Sequence, residues 1–318
     1  MVSTILGKSG RQYLPGEIFA ARPDRRKVLK ASSGNESYVL KYLRDQEKFK
    51  HFQSIAADVG ESRFLRMPVD VNEQEAILVY PYFKDTLLEF VKTQPDLPAD
   101  ASKKILRCVA EAIQELHSKG WIHLDIKPDN IIVNWIRDEN EQIVVTDVVL
   151  GDFENAWKLE NGVTNYYRGS VGNVIWRSLE MQTGQLVYSA SDIYAYGLVC
   201  IYVYGGGDFL IPERDHFLHP GIVPEQIMVI RHLSFFGPSV PQEFISKVYN
   251  EKWCKALQTA SKLAETIIKD DPGRSFNYWG EGLGKSLHQL VSTMTNLNPL
   301  ARPTIDEVLA HPWWLEED

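Results

Sequence analysis

Hydrophobic and polar residues alternate through the first third of the chain with the period of β-strands. Residues 26–30 and 38–43 both show this alternation, and a turn at 33–36 stands between them. Residues 45–57 have the pattern of a helix, and 76–80 form an apolar run typical of a buried strand. We therefore predict that this region consists of short strands and one helix.

The period changes to that of an amphipathic helix after residue 98. Ile105, Val109, Ile113 and Leu116 recur at helical spacing, and Gly120 is expected to end this helix. Two apolar runs at 131–133 and 143–145 then flank a charged turn, which predicts a hairpin with a polar insertion. The chain after residue 189 is predicted to be mainly helix and loop.

The composition is that of an ordinary globular protein of one bilobal unit or two domains. The chain has 318 residues, of which 44% are hydrophobic, and a net charge of −8, which argues against nucleic acid as a partner. Cys108, Cys200 and Cys254 lack metal-ligand spacing, and reduced thiols are expected. Residues 1–8 contain no secretory apolar segment, and the apolar run 193–204 is too short to span a bilayer. We predict a cytoplasmic or nuclear protein without a membrane partner.

The candidate chemistry is concentrated in the octapeptide 123–130, His-Leu-Asp-Ile-Lys-Pro-Asp-Asn, and in the segment Gly-Asp-Phe-Glu that follows at 151–154. Phosphoryl transfer requires a carboxylate near the attacking hydroxyl, a cation near the moving phosphoryl group, and oxygen ligands for Mg²⁺. Asp125 and Lys127 fit the first two roles as catalytic residues. Asn130 and Asp152 fit the third, as metal ligands that also bind the nucleotide.

These two segments resemble the catalytic loop, H-R-D-x-x-x-x-N, and the metal motif, D-F-G, of protein kinases. Asp-x-Lys-Pro-x-Asn is the serine/threonine type of that loop, and the whole pattern is similar to that of divergent fungal kinase-like proteins. The resemblance implies an α+β, bilobal protein kinase-like fold in a single domain, 1–318. A small antiparallel-sheet N-lobe would cover about 12–82, and a mainly helical C-lobe about 83–315. ATP and Mg²⁺ would be the cofactors, and Ser/Thr hydroxyls of proteins the acceptors.

The resemblance also implies an ATP-binding site. Lys41 ends a Val-Leu-Lys sequence that resembles the V-A-I-K strand, whose lysine binds the α- and β-phosphates. Tyr80 would be the gatekeeper residue before the hinge. The carbonyl of Pro81 and the amide of Phe83 would then meet adenine, and proline is acceptable at that place because only its carbonyl is needed.

Further segments resemble parts of the kinase C-lobe that support the site. Residues 172–180 resemble the substrate-docking loop that ends in A-P-E, with Glu180 as its last residue. Asp192 stands in a segment similar to D-x-W-x-x-G, whose aspartate braces the backbone of the catalytic loop. Arg302 corresponds to the arginine that pairs with the A-P-E glutamate. His123, which opens the catalytic loop, is a fourth expected supporting residue.

Two departures from the family concern phosphate binding and regulation. No G-x-G-x-x-G occurs, and residues 16–26 stand in its place. Arg22, Arg25 or Arg26 could supply positive charge there, although a solvated basic turn explains them more simply. Leu124 replaces the arginine that reads a phosphorylated activation loop, so gating by loop phosphorylation is not expected.

Two more departures concern the metal motif and the partner of Lys41. Glu154 follows Phe153 where glycine is expected, which adds a carboxylate and removes a flexible hinge. The helical glutamate that should pair with Lys41 is not evident. Glu47, Gln53 and Glu154 remain as candidates for that role.

These departures leave two alternatives to a protein kinase. The lost glycine loop and the D-F-E sequence suggest a pseudokinase that binds nucleotide or partners without transfer. The segment 150–156 also resembles the metal motif of aminoglycoside and choline kinases, which suggests a small-molecule kinase. Against the pseudokinase, all five polar residues predicted for catalysis and nucleotide binding are present. Against the small-molecule kinase, the docking-loop, Asp192 and Arg302 landmarks belong to protein kinases. We therefore predict a protein serine/threonine kinase.

Overall fold

The computed structural model describes residues 4–21, 27–43, 45–159, 171–185, 187–212, 222–248 and 250–316. Its first region is a six-stranded antiparallel sheet in the order β1-β2-β3-β4-β6-β5. The strands are β1 (Ile5–Leu6), β2 (Gln12–Ala21), β3 (Lys27–Ser33), β4 (Glu36–Tyr42), β5 (Asp70–Asn72) and β6 (Ile77–Pro81). The sheet thus extends back to Ile5, before the predicted start of the N-lobe at residue 12.

Alternation along the strands gives this sheet two buried faces. Leu40 and Val79 pair across β4 and β6 and belong to an outer apolar cluster, while Leu78 and Tyr80 on β6 join the main core. Helix α1 (Gln46–Val59) covers the inner face. It begins one residue later than predicted because Asp45 is its N-cap, whose carboxylate accepts from the backbone N–H of the third helical residue at 2.8 Å.

The second region is mainly helical. Its longer helices are α2 (Leu87–Thr93), α3 (Ala99–Ser118), α5 (Ser189–Val203), α7 (Pro224–Phe236), α9 (Glu251–Asp270) and α11 (Lys285–Met294). Its shorter helices are α4 (Leu179–Gln182), α6 (Gly207–Leu210), α8 (Gln242–Ile245), α10 (Phe276–Trp279) and α12 (Ile305–Leu309). Strands β7 (Asp85–Thr86), β9 (Ile131–Arg137) and β10 (Ile143–Leu150) form one sheet, and β8 (Trp121–Ile122) pairs with β11 (Trp157–Lys158).

Helices α3 and α5 form the centre of this region. All four apolar residues that predicted α3 are buried, and every residue of α5 from Ser191 to Val203 is buried. Helix α3 also packs against β10, which places the β9–β10 hairpin beside the core. The predicted α+β, bilobal kinase-like fold class is confirmed.

The hairpin is longer than the apolar runs predicted. β9 and β10 pair from Ile131 opposite Leu150 out to Arg137 opposite Ile143, with an irregularity between Val145 and Asp147. The outer half is more exposed, so only its inner half carries a continuous apolar signal. None of the helices in the described part of the chain is long and apolar enough to cross a membrane.

Candidate active site between the two lobes

The catalytic loop follows β8 and is held from below by one buried carboxylate. Asp192, in the first turn of α5, accepts hydrogen bonds from the backbone N–H groups of His123 at 2.7 Å and Leu124 at 2.9 Å. His117 Nε2 lies 2.9 Å from the same carboxylate. Burial alone would raise the pKa of Asp192, but the bond to His117 and the charges around it lower the pKa overall. The loop backbone is therefore tied to an ionised group in the core.

Asp125 lies at the centre of a small polar cluster. Its Oδ1 accepts from the backbone N–H of Asn173 at 2.8 Å, and its Oδ2 lies 3.3 Å from Lys127 Nζ. The Nδ2 of Asn130 donates to the carbonyl of Asp125 at 2.8 Å and to its Oδ2 at 3.1 Å. The structure thus brings together three polar residues that the sequence predicted for catalysis and metal binding.

The docking loop lies directly on the catalytic loop at Gly172. This residue has a φ of +74°, and a Cβ there would lie 2.3 Å from the carbonyl oxygen of Leu124. Arg177 fixes the same segment by donating from Nε to the carbonyls of Val171 at 2.6 Å and Gly172 at 3.1 Å. Glycine is required by both the backbone angle and the close approach.

Glu180 and Arg302 form a buried, bidentate ion pair at the far end of the docking loop. Nη1 and Nη2 of Arg302 lie 2.7 and 2.9 Å from the two carboxylate oxygens, and the side chains are 0% and 1% exposed. Ser191 Oγ also donates to Glu180 at 2.8 Å. Burial would raise the pKa of Glu180, but the guanidinium outweighs it and lowers the pKa.

The metal motif follows β10 and turns sharply at Asp152, whose φ is +64°. Lys41 Nζ, on β4, lies 2.6 Å from Asp152 Oδ1 and 2.8 Å from Glu154 Oε1. Burial alone would lower the pKa of Lys41, yet these two carboxylates raise it above its usual value. Burial likewise opposes ionisation of Asp152, but Lys41 lowers the pKa of its carboxyl. Glu154, of the three candidates left open, is the residue paired with Lys41.

Helix α1 contacts the metal motif through a cation and an aromatic ring. Lys48 Nζ donates to the backbone carbonyl of Glu154 at 3.1 Å. The ring of Phe52 packs 6.3 Å from that of Phe153, which in turn lies 5.2 Å from the ring of His123. A column of rings therefore connects the helix of the N-lobe to the catalytic loop.

The hinge contains an unexpected partner for the carbonyl predicted to meet adenine. Pro81 O accepts a hydrogen bond from Nη2 of Arg66 at 3.2 Å. Tyr80, the predicted gatekeeper, is buried beside it, and Phe83 is half-buried. Sequence reasoning missed Arg66, whose signal was a single cation within the apolar run Phe-Leu-Arg-Met-Pro at 64–68.

Asn130 and Asp152 offer oxygen ligands, which are the ligands that Mg²⁺ prefers. Asn130 uses its Nδ2 for Asp125, so its amide oxygen is the atom it can offer a cation, and Asp152 supplies a carboxylate. Mg²⁺ is commonly bound by one or two such ligands together with substrate phosphates and water. Among the described residues no cluster of three or more His, Cys, Asp or Glu could hold a metal by itself. Arg22, Arg25 and Arg26 lie outside the described residues.

A family model of the protein kinase domain matches residues 26–314. The chain belongs to the protein kinase family. The predicted resemblance is thereby confirmed, and members of this family generally use ATP and Mg²⁺. The similar proteins include serine/threonine-protein kinases of Synechocystis and Bacillus subtilis and protein kinases of fungi.

Two relatives show how similar this kinase is in sequence to known protein kinases. It is 26% identical over 291 residues to the DNA damage response protein kinase DUN1 of Saccharomyces cerevisiae, covering 85% of this chain and 47% of the relative. It is 29% identical over 184 residues to serine/threonine-protein kinase D of Synechocystis, covering 55% of this chain and 34% of the relative. The chain thus spans between about a third and a half of the length of these relatives.

The fold also matches a solved structure, the crystal structure of the yeast RNA Pol II CTD kinase CTDK-1 complex. The TM-score is 0.69, with 14% sequence identity, over 92% of this chain and 90% of the matched chain. At that identity the match supports the fold alone.

Proposed function

We propose that this kinase transfers the γ-phosphoryl group of ATP, bound with Mg²⁺, to Ser or Thr hydroxyls of proteins. The observation that carries the proposal is the polar cluster of Asp125, Lys127 and Asn130, with Asp192 holding its backbone. Phosphoryl transfer depends mainly on positioning and electrostatic stabilisation, and this cluster supplies a fixed carboxylate next to a cation.

The nucleotide would lie between the lobes, with its base at the hinge residues Pro81 and Phe83. Lys41, whose ammonium is kept charged by two carboxylates, would contact the α- and β-phosphates. Asp152 and Asn130 would hold the metal ions, which neutralise charge on the phosphate oxygens when bound.

Asp125 would orient the acceptor hydroxyl and accept its proton. As the hydroxyl oxygen forms its bond to the γ-phosphorus, the bond to the bridging oxygen breaks and the nucleoside diphosphate leaves. Lys127 lies 3.3 Å from Asp125 and would stabilise negative charge on the transferred group. Residues 171–180, which pack on the catalytic loop through Gly172, would position the substrate peptide.

A second candidate is a pseudokinase that binds partners without transfer. It is favoured by contacts within the site itself, because Arg66 already bonds the Pro81 carbonyl and Lys41 already bonds Asp152. When a nucleotide enters, these two contacts would have to break, or their atoms would have to bind the nucleotide as well. The presence of the complete Asp125 cluster favours the active enzyme over this candidate.

The deciding experiment is transfer of labelled γ-phosphate from Mg²⁺·ATP to the purified chain itself and to a generic basic protein. Phosphoamino-acid analysis should find phosphoserine or phosphothreonine, and the Asp125→Asn protein, purified in parallel, excludes a contaminating kinase. Nucleotide binding without transfer would establish the pseudokinase. Transfer only to a small alcohol or amine would instead assign a small-molecule kinase.

A further inference from the structure

Arg66 lies where the two walls of the base-binding end of the cleft meet. Its backbone N–H donates to the carbonyl of Leu150, at the end of β10, at 2.8 Å. Its side chain crosses to the hinge, where Nη2 donates to Pro81 O at 3.2 Å. One residue therefore connects the strand before the metal motif to the hinge carbonyl.

The chain leaves room for this side chain at Gly151, the residue before Asp152. A Cβ at position 151 would lie 3.3 Å from both Cβ and Cδ of Arg66, which is tighter than ordinary contact. Gly151 does not have a positive φ, so this close approach is the reason the structure offers for glycine there. Arg66 and Gly151 fit each other as a pair.

The guanidinium of Arg66 has an N–H group without a hydrogen-bond acceptor among the described residues. It lies 4.9 Å from the ring centroid of Tyr80 and 5.9 Å from that of Phe83, the side chains that bracket the hinge. Its Nε is buried and has no hydrogen-bond partner among the described residues. A buried N–H without a partner is unfavourable, and a ligand acceptor would satisfy it once the side chain shifts to expose it.

We propose that Arg66 makes this base-binding end favour a purine with a carbonyl oxygen at position 6, so that GTP serves as phosphoryl donor alongside ATP. Guanine presents an acceptor at position 6, whereas adenine presents an amino donor. Arginine carries only donors, and Arg66 already donates to the hinge carbonyl, which a 6-amino group would have to share. A 6-oxo group accepts a hydrogen bond from Arg66. A 6-amino group instead places its own N–H donors against the N–H donors of a positively charged guanidinium, which is unfavourable. The inference rests on the proposed function, because a base reaches Arg66 only if the cleft takes a nucleotide.

The test compares nucleotides that differ at position 6 by titration calorimetry in excess Mg²⁺. On the unaltered protein we use ATP, GTP, inosine triphosphate, which has the 6-oxo but no 2-amino group, and purine riboside triphosphate, which has neither. The same titrations are made with Arg66→Met. Arg63→Met is the matched control, since Arg63 is exposed and its guanidinium lies 5.5 Å from the ring of Phe64.

On the unaltered protein, inosine triphosphate should bind roughly tenfold or more tightly than purine riboside triphosphate, as a hydrogen bond to a charged donor provides. ATP should bind no more tightly than purine riboside triphosphate. Arg66→Met should raise the ratio of Kd for GTP to Kd for ATP by roughly tenfold or more, and Arg63→Met should leave it unchanged.

Three results would overturn the proposal. ATP binding well above purine riboside triphosphate on the unaltered protein would do so without any variant, and this arm decides the matter if Arg66→Met does not fold. An unchanged GTP-to-ATP ratio in folded Arg66→Met would remove Arg66 from base selection while the proposed kinase activity stands. Failure of every protein to bind any nucleotide would end both proposals.

Discussion

The cleft has two walls, a helical wall that carries the catalytic loop 123–130 and a sheet wall that carries Lys41. The charged residues of these two walls are neutralised in different ways. On the helical wall, Asp125 lies 3.3 Å from the cation of Lys127 within one loop, and Asp192 holds the backbone of that loop. On the sheet wall, Lys41 has no carboxylate partner from helix α1 in the described contacts and pairs across the cleft with Asp152 and Glu154. The helical wall is thus complete by itself, whereas the sheet wall depends on the opposite side of the cleft.

This difference has a physical consequence for the state of the site. The usual arrangement of the family takes the partner of the lysine from the N-lobe helix, so that a moving helix can break the pair. Here the carboxylate is two residues after Asp152, and helix α1 offers the cation Lys48 to the backbone at Glu154 instead. The ion pair that positions Lys41 is therefore tied to the metal motif, and the two walls are linked by charge before any nucleotide enters.

The largest expected effect belongs to the helical wall. Asp125→Asn should lower phosphoryl transfer by about 10²–10⁴-fold, because the amide cannot accept the hydroxyl proton, while nucleotide binding is retained. Single-turnover transfer and calorimetric titration of nucleotide measure the two properties separately. A variant as fast as the unaltered protein would show that Asp125 is not the catalytic residue.

The sequence predicted the helical wall better because family motifs encode its contacts. Asp125 and Asn130 are five residues apart, and a motif of fixed spacing brings them together in one loop. Lys41 and Asp152 are 111 residues apart, and the sequence leaves Glu47, Gln53 and Glu154 open as the partner of Lys41 without indicating Asp152. Their choice depends on how α1 packs against the metal motif, and no spacing rule encodes that packing.

Arg66 shows the same limit for the hinge. An arginine in an irregular segment is ordinarily a solvated residue, and the apolar run around Arg66 indicates burial without indicating which group it contacts. Its contacts become visible only when the end of β10 and the end of β6 lie side by side. Pairs that no family motif encodes escape sequence reasoning even when the fold class is evident, whereas Glu180 and Arg302, 122 residues apart, are predicted from their motifs.

The second effect concerns the buried ion pair between Glu180 and Arg302, which supports the helical wall. Arg302→Ala should lower the free energy of unfolding by about 3–5 kcal/mol, because Glu180 is left as a buried carboxylate without its guanidinium. Chemical denaturation measures the loss. The double variant with Glu180→Ala should recover most of it, whereas strictly additive losses would show that the two residues do not act as a pair.

A third, smaller effect falls on Asp152, where the two walls meet. Asp152→Asn should weaken binding of Mg²⁺·ATP by roughly tenfold or more, since a hard cation loses a charged oxygen ligand. It should weaken binding of metal-free ATP far less, and Lys41 keeps Glu154 as a partner. Thermal-shift titrations with and without Mg²⁺ provide the measurement. Equal stabilisation of both proteins by Mg²⁺·ATP would place the metal elsewhere.

The smallest effect is expected at Glu154, and it tests most directly whether the ion pair with Lys41 links the two walls. Glu154→Gln should weaken nucleotide binding by about fivefold, or ~1 kcal/mol, because the pair with Lys41 is partly screened and Asp152 remains as a second partner. Glu47→Gln is the matched control, since Glu47 is exposed on helix α1 and should leave nucleotide affinity unchanged.

Glycine at position 154 should do more than glutamine, because it removes the charge and also frees the backbone after Asp152, which already has a positive φ. Glu154→Gly should therefore lower both nucleotide affinity and transfer rate below those of Glu154→Gln. Equilibrium titration and single-turnover kinetics on both variants give the order. A glycine variant that transfers faster than the unaltered protein would mean that Glu154 restrains the site, and the link between the walls would then be inhibitory.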